Sequence, residues 1–159
     1  GHCTNLSTIT IPPTWTFINP GVFRGSGLTT VIIPDSIKVI NKYAFGFCNK
    51  LVSIVIPNSV TTIGESAFIE CTALESLSLS ESITKIGNSA FSKCSKLTEL
   101  TIYSNITEIG EFAFSRCTSL SSITFTGTTA QWSNIKKGTL WNNKVPATKV
   151  ICSDGEVEL

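Results

Sequence analysis

A 23-residue repeat limits what this chain can fold into more than any other feature. Leu28, Leu51, Leu74, Leu97 and Leu120 fall 23 residues apart, and Leu6 joins them through a 22-residue step. Cys48, Cys71, Cys94 and Cys117 keep the same beat. So do Ile40, Ile63, Ile86 and Ile109, and Phe45, Phe68, Phe91 and Phe114, each phenylalanine preceded by alanine. Such a period marks stacked units, because one unit cannot bury its own apolar side chains.

The spacing inside a unit predicts its path. Leu51, Ile54 and Ile56 end in a period-two stretch, a short strand with one face inward. Pro57 and its equivalents Pro12 and Pro34 stop the strand, since proline cannot donate to a ladder. Gly64, Gly87 and Gly110 turn the chain ahead of segments such as 65–71. There Ala67, Phe68 and Cys71 sit at helical spacing, predicting one or two helical or 3-10 turns. Each unit is then a coil of strand, turn, short helix and return. Six stacked coils predict a parallel sheet roughly 24 to 30 Å long.

Composition narrows the class. At 159 residues the chain has the length of one domain, and 42% apolar with 14% charged residues fits a folded one. A net charge of +1 gives no electrostatic reason to expect nucleic acid or an anionic membrane as partner. No apolar run approaches the roughly 18 residues of a membrane span. The chain contains no methionine, and Gly1-His2 reads as a remnant of an added tag.

The chemical readings are weak. No Cys or His pair has the local spacing of a metal site. Cys48 to Cys117 form an inward column, one per coil, and buried free thiols are expected of it. Cysteine usage therefore does not fix the compartment. The one histidine, His2, falls in the tag, so no Ser-His or Cys-His arrangement can be built. Glu65 and Glu111 share a repeat position two coils apart, about 10 Å, slightly beyond the usual inverting-glycosidase separation. They are expected to be solvated charge, as is the cross-coil pair Glu70 and Lys93. Asn5-Leu6-Ser7 and Asn105-Ile106-Thr107 match the N-glycosylation pattern. The sequence thus predicts no catalytic, metal or cofactor residues, and no enzyme.

The Ile-Gly-x-x-Ala-Phe-x-x-Cys-x-x-Leu core resembles the leucine-rich repeats of the BspA type, over nearly the whole chain. The resemblance implies an α/β, right-handed leucine-rich-repeat solenoid of 23-residue coils. Its short parallel strands would line the concave face and its helical or 3-10 segments the convex face. An irregular N-terminal repeat is expected over 1–27, four regular repeats over 28–119, and a final strand with a C-terminal cap over 120–159. Trp132 and Trp141 are large enough to cover the open end, and Cys152-Ser-Asp-Gly155 is similar to the closing segment of such proteins. The N-terminal end, with Cys3 already at the repeat's cysteine position, is expected to continue into further repeats. Members are typically secreted or surface-exposed, and several are implicated in adhesion. The resemblance therefore implies an extracellular or cell-surface module.

The outward strand positions form the candidate face. One column holds Thr8, Thr30, Ser53, Ser76, Glu99 and Ser122; the next holds Thr10, Ile32, Val55, Ser78, Thr101 and Thr124. Pro34, Pro57, Ser80 and Tyr103 run alongside. Thr30, Ile32, Ser53, Val55, Ser76, Ser78, Glu99, Thr101 and Tyr103 are the candidate binding residues. The expected partner is a protein or glycan on a host or neighbouring cell, with no nucleic acid, no membrane insertion and a monomeric module. The competing expectation is a passive spacer that holds another domain away from the cell wall.

Overall fold

The structure, a computed structural model, describes residues 7–159. Gly1-His2, Cys3, Asn5 and Leu6 lie outside the described residues. The chain alternates longer and shorter strands: β1 (Thr8–Thr10) and β2 (Phe17–Ile18), then β3 (Thr30–Ile32) and β4 (Val39–Ile40). Next come β5 (Ser53–Val55), β6 (Thr62–Ile63), β7 (Ser76–Ser78) and β8 (Lys85–Ile86). The series closes with β9 (Glu99–Ile102), β10 (Glu108–Ile109) and β11 (Ser122–Phe125). A helix, α1 (Thr129–Asn134), precedes β12 (Lys136–Lys137), β13 (Lys149–Cys152) and β14 (Gly155–Glu158). The short strands form one parallel six-stranded sheet in the order β12-β10-β8-β6-β4-β2. The longer ones stack on the other side, in register but in three blocks, β1-β3, β5-β7 and β9-β11-β13-β14.

Between these layers each coil contributes the same buried set. Leu51, Ile54, Ile56, Val60, Ile63, Ala67, Phe68 and Cys71 are all buried, and the neighbouring coils bury their equivalents apart from Leu77, which is partly buried. Phe23, Phe45, Phe68, Phe91 and Phe114 stack in a continuous column, with ring centroids 5.1 to 5.3 Å apart. This separation and near-parallel packing lie in the favourable range for aromatic pairs.

The third side of the coil is not helical. Ala-Phe-x-x-Cys lies instead on a ladder of turns, and among the described residues α1 is the only α-helix. Its hydrogen bonds explain why. The N–H groups of Tyr43, Phe45 and Phe47 donate to the carbonyls of Glu65, Ala67 and Ile69 in the next coil, at 3.0, 2.8 and 2.7 Å. The intervening N–H groups of Ala44, Gly46 and Cys48 donate three residues back, to Asn41, Tyr43 and Phe45. A helix would satisfy these groups within one coil; the turn ladder uses half of them to join coils. It needs left-handed residues at two positions per coil: Tyr43 and Phe47, Ser66 and Glu70, Ser89 and Lys93, Phe112 and Arg116. Only the first coil uses glycine, at Gly21 and Gly25. Elsewhere the roughly 1 to 2 kcal/mol cost of a left-handed side-chain-bearing residue is offset by the interlocked bonds.

The glycines after the short strands have a different purpose from a left-handed turn. A Cβ on Gly87 would sit 2.6 Å from the carbonyl carbon of Gly64, and one on Gly110 would sit 2.5 Å from the Asn88 nitrogen. The coils approach backbone to backbone there, with Gly87 N–H bonded to Ile63 O at 2.8 Å and Gly110 N–H to Ile86 O at 2.8 Å. Gly87→Ala is expected to cost about 1 to 3 kcal/mol by overpacking. Urea unfolding of the purified variant checks it, and an unchanged midpoint would place the coils further apart than this.

The register that lapses after Leu120 resumes in space. Gly138 N–H bonds Ile109 O at 2.8 Å, and Phe114 N–H bonds Trp141 O at 2.7 Å, as one coil bonds the next. Leu140 and Lys144 take the two left-handed positions. Trp141 stands where other coils carry alanine and turns edge-on to Phe114, centroids 6.3 Å apart. The inserted residues form α1, opened by a capping box between Thr128 and Gln131. Trp132 packs on Phe125 and Trp141 at 5.3 and 5.8 Å. Lys137 fastens the helix end, its ammonium donating to Trp132 O and Ile135 O at 2.6 and 3.0 Å. Burial lowers that ammonium's pKa below the usual lysine value. The antiparallel hairpin β13-β14 then completes the sheet edge.

Candidate binding face

The outward columns of the longer strands stand in the expected register. Ser53 faces Ser76 and Val55 faces Ser78; Thr8 faces Thr30 and Thr10 faces Ile32; Glu99 faces Ser122 and Thr101 faces Thr124. Strand alternation puts Ile54 inward between Ser53 and Val55, and Leu100 inward between Glu99 and Thr101. Among the described residues Val55 and Ile32 are the most exposed large apolar side chains, at 66% and 53%.

All nine candidate residues line three adjoining depressions. Thr30, Ile32, Ser53 and Val55 border one of about 340 Å³. Val55, Ser78 and Tyr103 border a larger open one of about 690 Å³, together with Asp35, Pro57, Asn58 and Glu81. Ser76, Glu99 and Thr101 border a third of about 350 Å³. One companion of this face is misplaced by the sequence reading. Ser80 is turned inward and only 3% exposed, its hydroxyl donating to Val60 O at 3.2 Å and accepting from Ser82 N–H at 3.1 Å. A serine in the proline's place thus bridges the Val60 carbonyl and the Ser82 N–H.

Asp35 and Glu81 are the residues that sequence reasoning missed. They share one repeat column with Asn58, immediately after the proline position, and all three are exposed. The repeat itself carried the signal, one residue beyond the columns singled out. Asn105, in the glycosylation-type triplet, uses its side-chain amide to bond Glu81 O at 2.9 Å.

The other candidate chemistries separate in space. Glu65 pairs with Lys42 at 2.8 Å. Glu111 borders a different depression, with Asn88, Glu108 and Lys136, that Glu65 does not enter. Glu70 pairs with Lys93 across coils. Lys85, bonding at 3.0 Å, and Lys136 hold the Glu108 carboxyl below the usual carboxylate range. The thiols of the repeat lie behind the phenylalanine column: Cys71, Cys94 and Cys117 donate to Phe45 O, Phe68 O and Phe91 O at 3.2 to 3.3 Å. Burial drives the Cys71 and Cys94 thiols far up and the Cys117 thiol up to about 12. Thiols so protonated are poor nucleophiles and ligands. Among the described residues no group of three His, Cys, Asp or Glu is placed to hold a metal ion, and no helix is long and apolar enough to cross a membrane.

Stacked 23-residue coils with two parallel strand layers define a leucine-rich-repeat solenoid. The sequence matches the family model of the BspA type leucine rich repeat region, in six copies, over residues 1–72 and 16–145. The chain belongs to that family. A leucine-rich-repeat protein of T. pallidum is similar in fold, with a TM-score of 0.72 at 23% identity over 91% of this chain and 72% of that one. The pneumococcal vaccine antigen PcpA is 32% identical with a TM-score of 0.69, over 75% of this chain but only 30% of its own length. A leucine-rich-repeat protein of Bacteroides ovatus aligns at 24% identity and TM-score 0.50, over 96% of this chain and 56% of that one. No match is found among curated proteins.

Proposed function

We propose that this chain is a surface-exposed binding module that engages a macromolecule of a host or neighbouring cell through its longer-strand face. The observation that carries this reading is the exposed pair Ile32 and Val55, set among hydroxyl-bearing residues in adjoining depressions. An apolar spot with a polar rim is the usual anatomy of a contact surface. The family relationship and the likeness to a vaccine antigen support a location outside the cell. Work in this module is done by shape and contact, and no catalytic step is assigned to it.

The test is a binding screen of the purified chain against extracellular-matrix proteins, mucins and a glycan array. A saturable hit is expected, weakened at least about tenfold by Val55→Arg or Tyr103→Arg, as loss of a central contact residue would do. A negative screen, or a hit indifferent to both substitutions, would leave a passive spacer as the better description.

A further inference from the structure

We infer that the occupant of the longer-strand face is an extended, basic segment of a partner protein, with aliphatic residues between its cations. This deepens the binding-module reading and rests on it. Two independent features of the same surface meet here, an apolar floor and uncompensated negative charge.

The floor is Ile32, Val55 and Pro57, which border contiguous depressions in adjacent coils. The charge comes from Asp35, Glu81 and Glu99. Among the described residues none of these three has an ion-pair partner, whereas Glu65, Glu70, Glu75, Glu108 and Glu156 each meet a lysine. Asp35 and Glu81 border the same depression as Val55, and Glu99 borders the next. No lysine or arginine borders any of the three. Arg24, Lys42, Lys93, Arg116 and Lys144 sit on the turn ladder instead, and Lys85 and Lys136 on the short strands. Lys149, exposed in the outward column of the longer strands, is engaged by Glu156 at 2.6 Å, so it does not compensate Asp35, Glu81 or Glu99.

Lysine and arginine fit such a surface with both ends of the side chain. The stem lies on apolar groups while the head reaches a carboxylate. Asp35 and Glu81 are two coils apart, about 10 Å by strand spacing. A polyproline-type segment brings side chains to one side every three residues, about 9.3 Å. Cations three residues apart would meet both carboxylates and leave an aliphatic residue over Val55. A nucleic acid or sulfated polymer would be repelled by the same carboxylates.

The experiment measures fluorescence anisotropy of labelled Lys-Pro-Val-Lys-Pro-Val-Lys against the whole chain, with Glu-Pro-Val-Glu-Pro-Val-Glu as its counterpart. The basic peptide should bind saturably, the acidic one should not, and added salt should weaken the complex. D35N/E81Q should weaken binding about tenfold while its thermal melt overlays that of the parent chain. No saturation by about 1 mM basic peptide, or binding untouched by D35N/E81Q, overturns the inference. If a matrix protein or glycan is captured and lost on Val55→Arg while the basic peptide stays silent, the inference fails and the binding module stands. If nothing binds this face, both fail.

Discussion

Truncating Phe91 to alanine should lower the unfolding free energy by about 3 to 5 kcal/mol. Phe91 is fully buried and stacks on Phe68 and Phe114 at 5.1 and 5.3 Å, so the change leaves a void open to both neighbouring coils. Nothing flexible stands beside it to fill the space, because the rings above and below are held by their own coils. Among the described residues Phe23 stacks only on Phe45, and it is partly exposed. Its truncation should cost about a third as much, near the lower end of core substitutions. Denaturant melts of the two variants test the stack directly. A loss below about 1 kcal/mol for Phe91→Ala would mean that this ring does not bridge its neighbours.

Raising the pH should unfold the chain steeply through its thiols. Cys71, Cys94 and Cys117 hold their protons far above the usual cysteine range because burial penalises the thiolate, and Cys48 is shifted the same way. In the unfolded chain these thiols ionise near pH 8.5. The folded pKa is the higher one, so the stabilisation is complete below about pH 8.5 and is lost as the pH climbs toward about 12, the value of Cys117. Within that window each of Cys71, Cys94 and Cys117 removes about 1.4 kcal/mol per pH unit, and the three together about 4. Stability should be flat from pH 6 to 8 and collapse above about pH 10. Cys94→Ser, which copies the serine that Ser26 supplies in the first coil beside Cys48, should reduce the slope by about one third. An unchanged slope would assign alkaline unfolding to other groups.

The coil itself was legible in the sequence because its buried positions repeat through four consecutive coils. Phenylalanine, alanine, cysteine and leucine recur at fixed intervals, and strand alternation alone placed Ser53 and Val55 outward with Ile54 between them. The turn ladder was not legible. Ala67, Phe68 and Cys71 have the spacing of a helix face, and Ser66 and Glu70 carry no mark of left-handed backbone. What excludes the helix is a partner carbonyl 22 residues away, which no local propensity reports. The last coil was hidden by inserted residues and by a tryptophan in an alanine's place. On the candidate face the columns could be read, while Asp35 and Glu81 could not be valued: whether a surface carboxylate is paired depends on which lysine lies across the groove.

Because half of the turn ladder's bonds run between coils, the coils are linked in series along the solenoid axis. Tension applied between the two ends therefore reaches one interface at a time, and the weakest gives way first while the rest stay wound. Each 23-residue coil that peels would release about 80 Å of contour length. A module built this way lengthens in steps under load and keeps the remaining coils, with whatever they hold, intact.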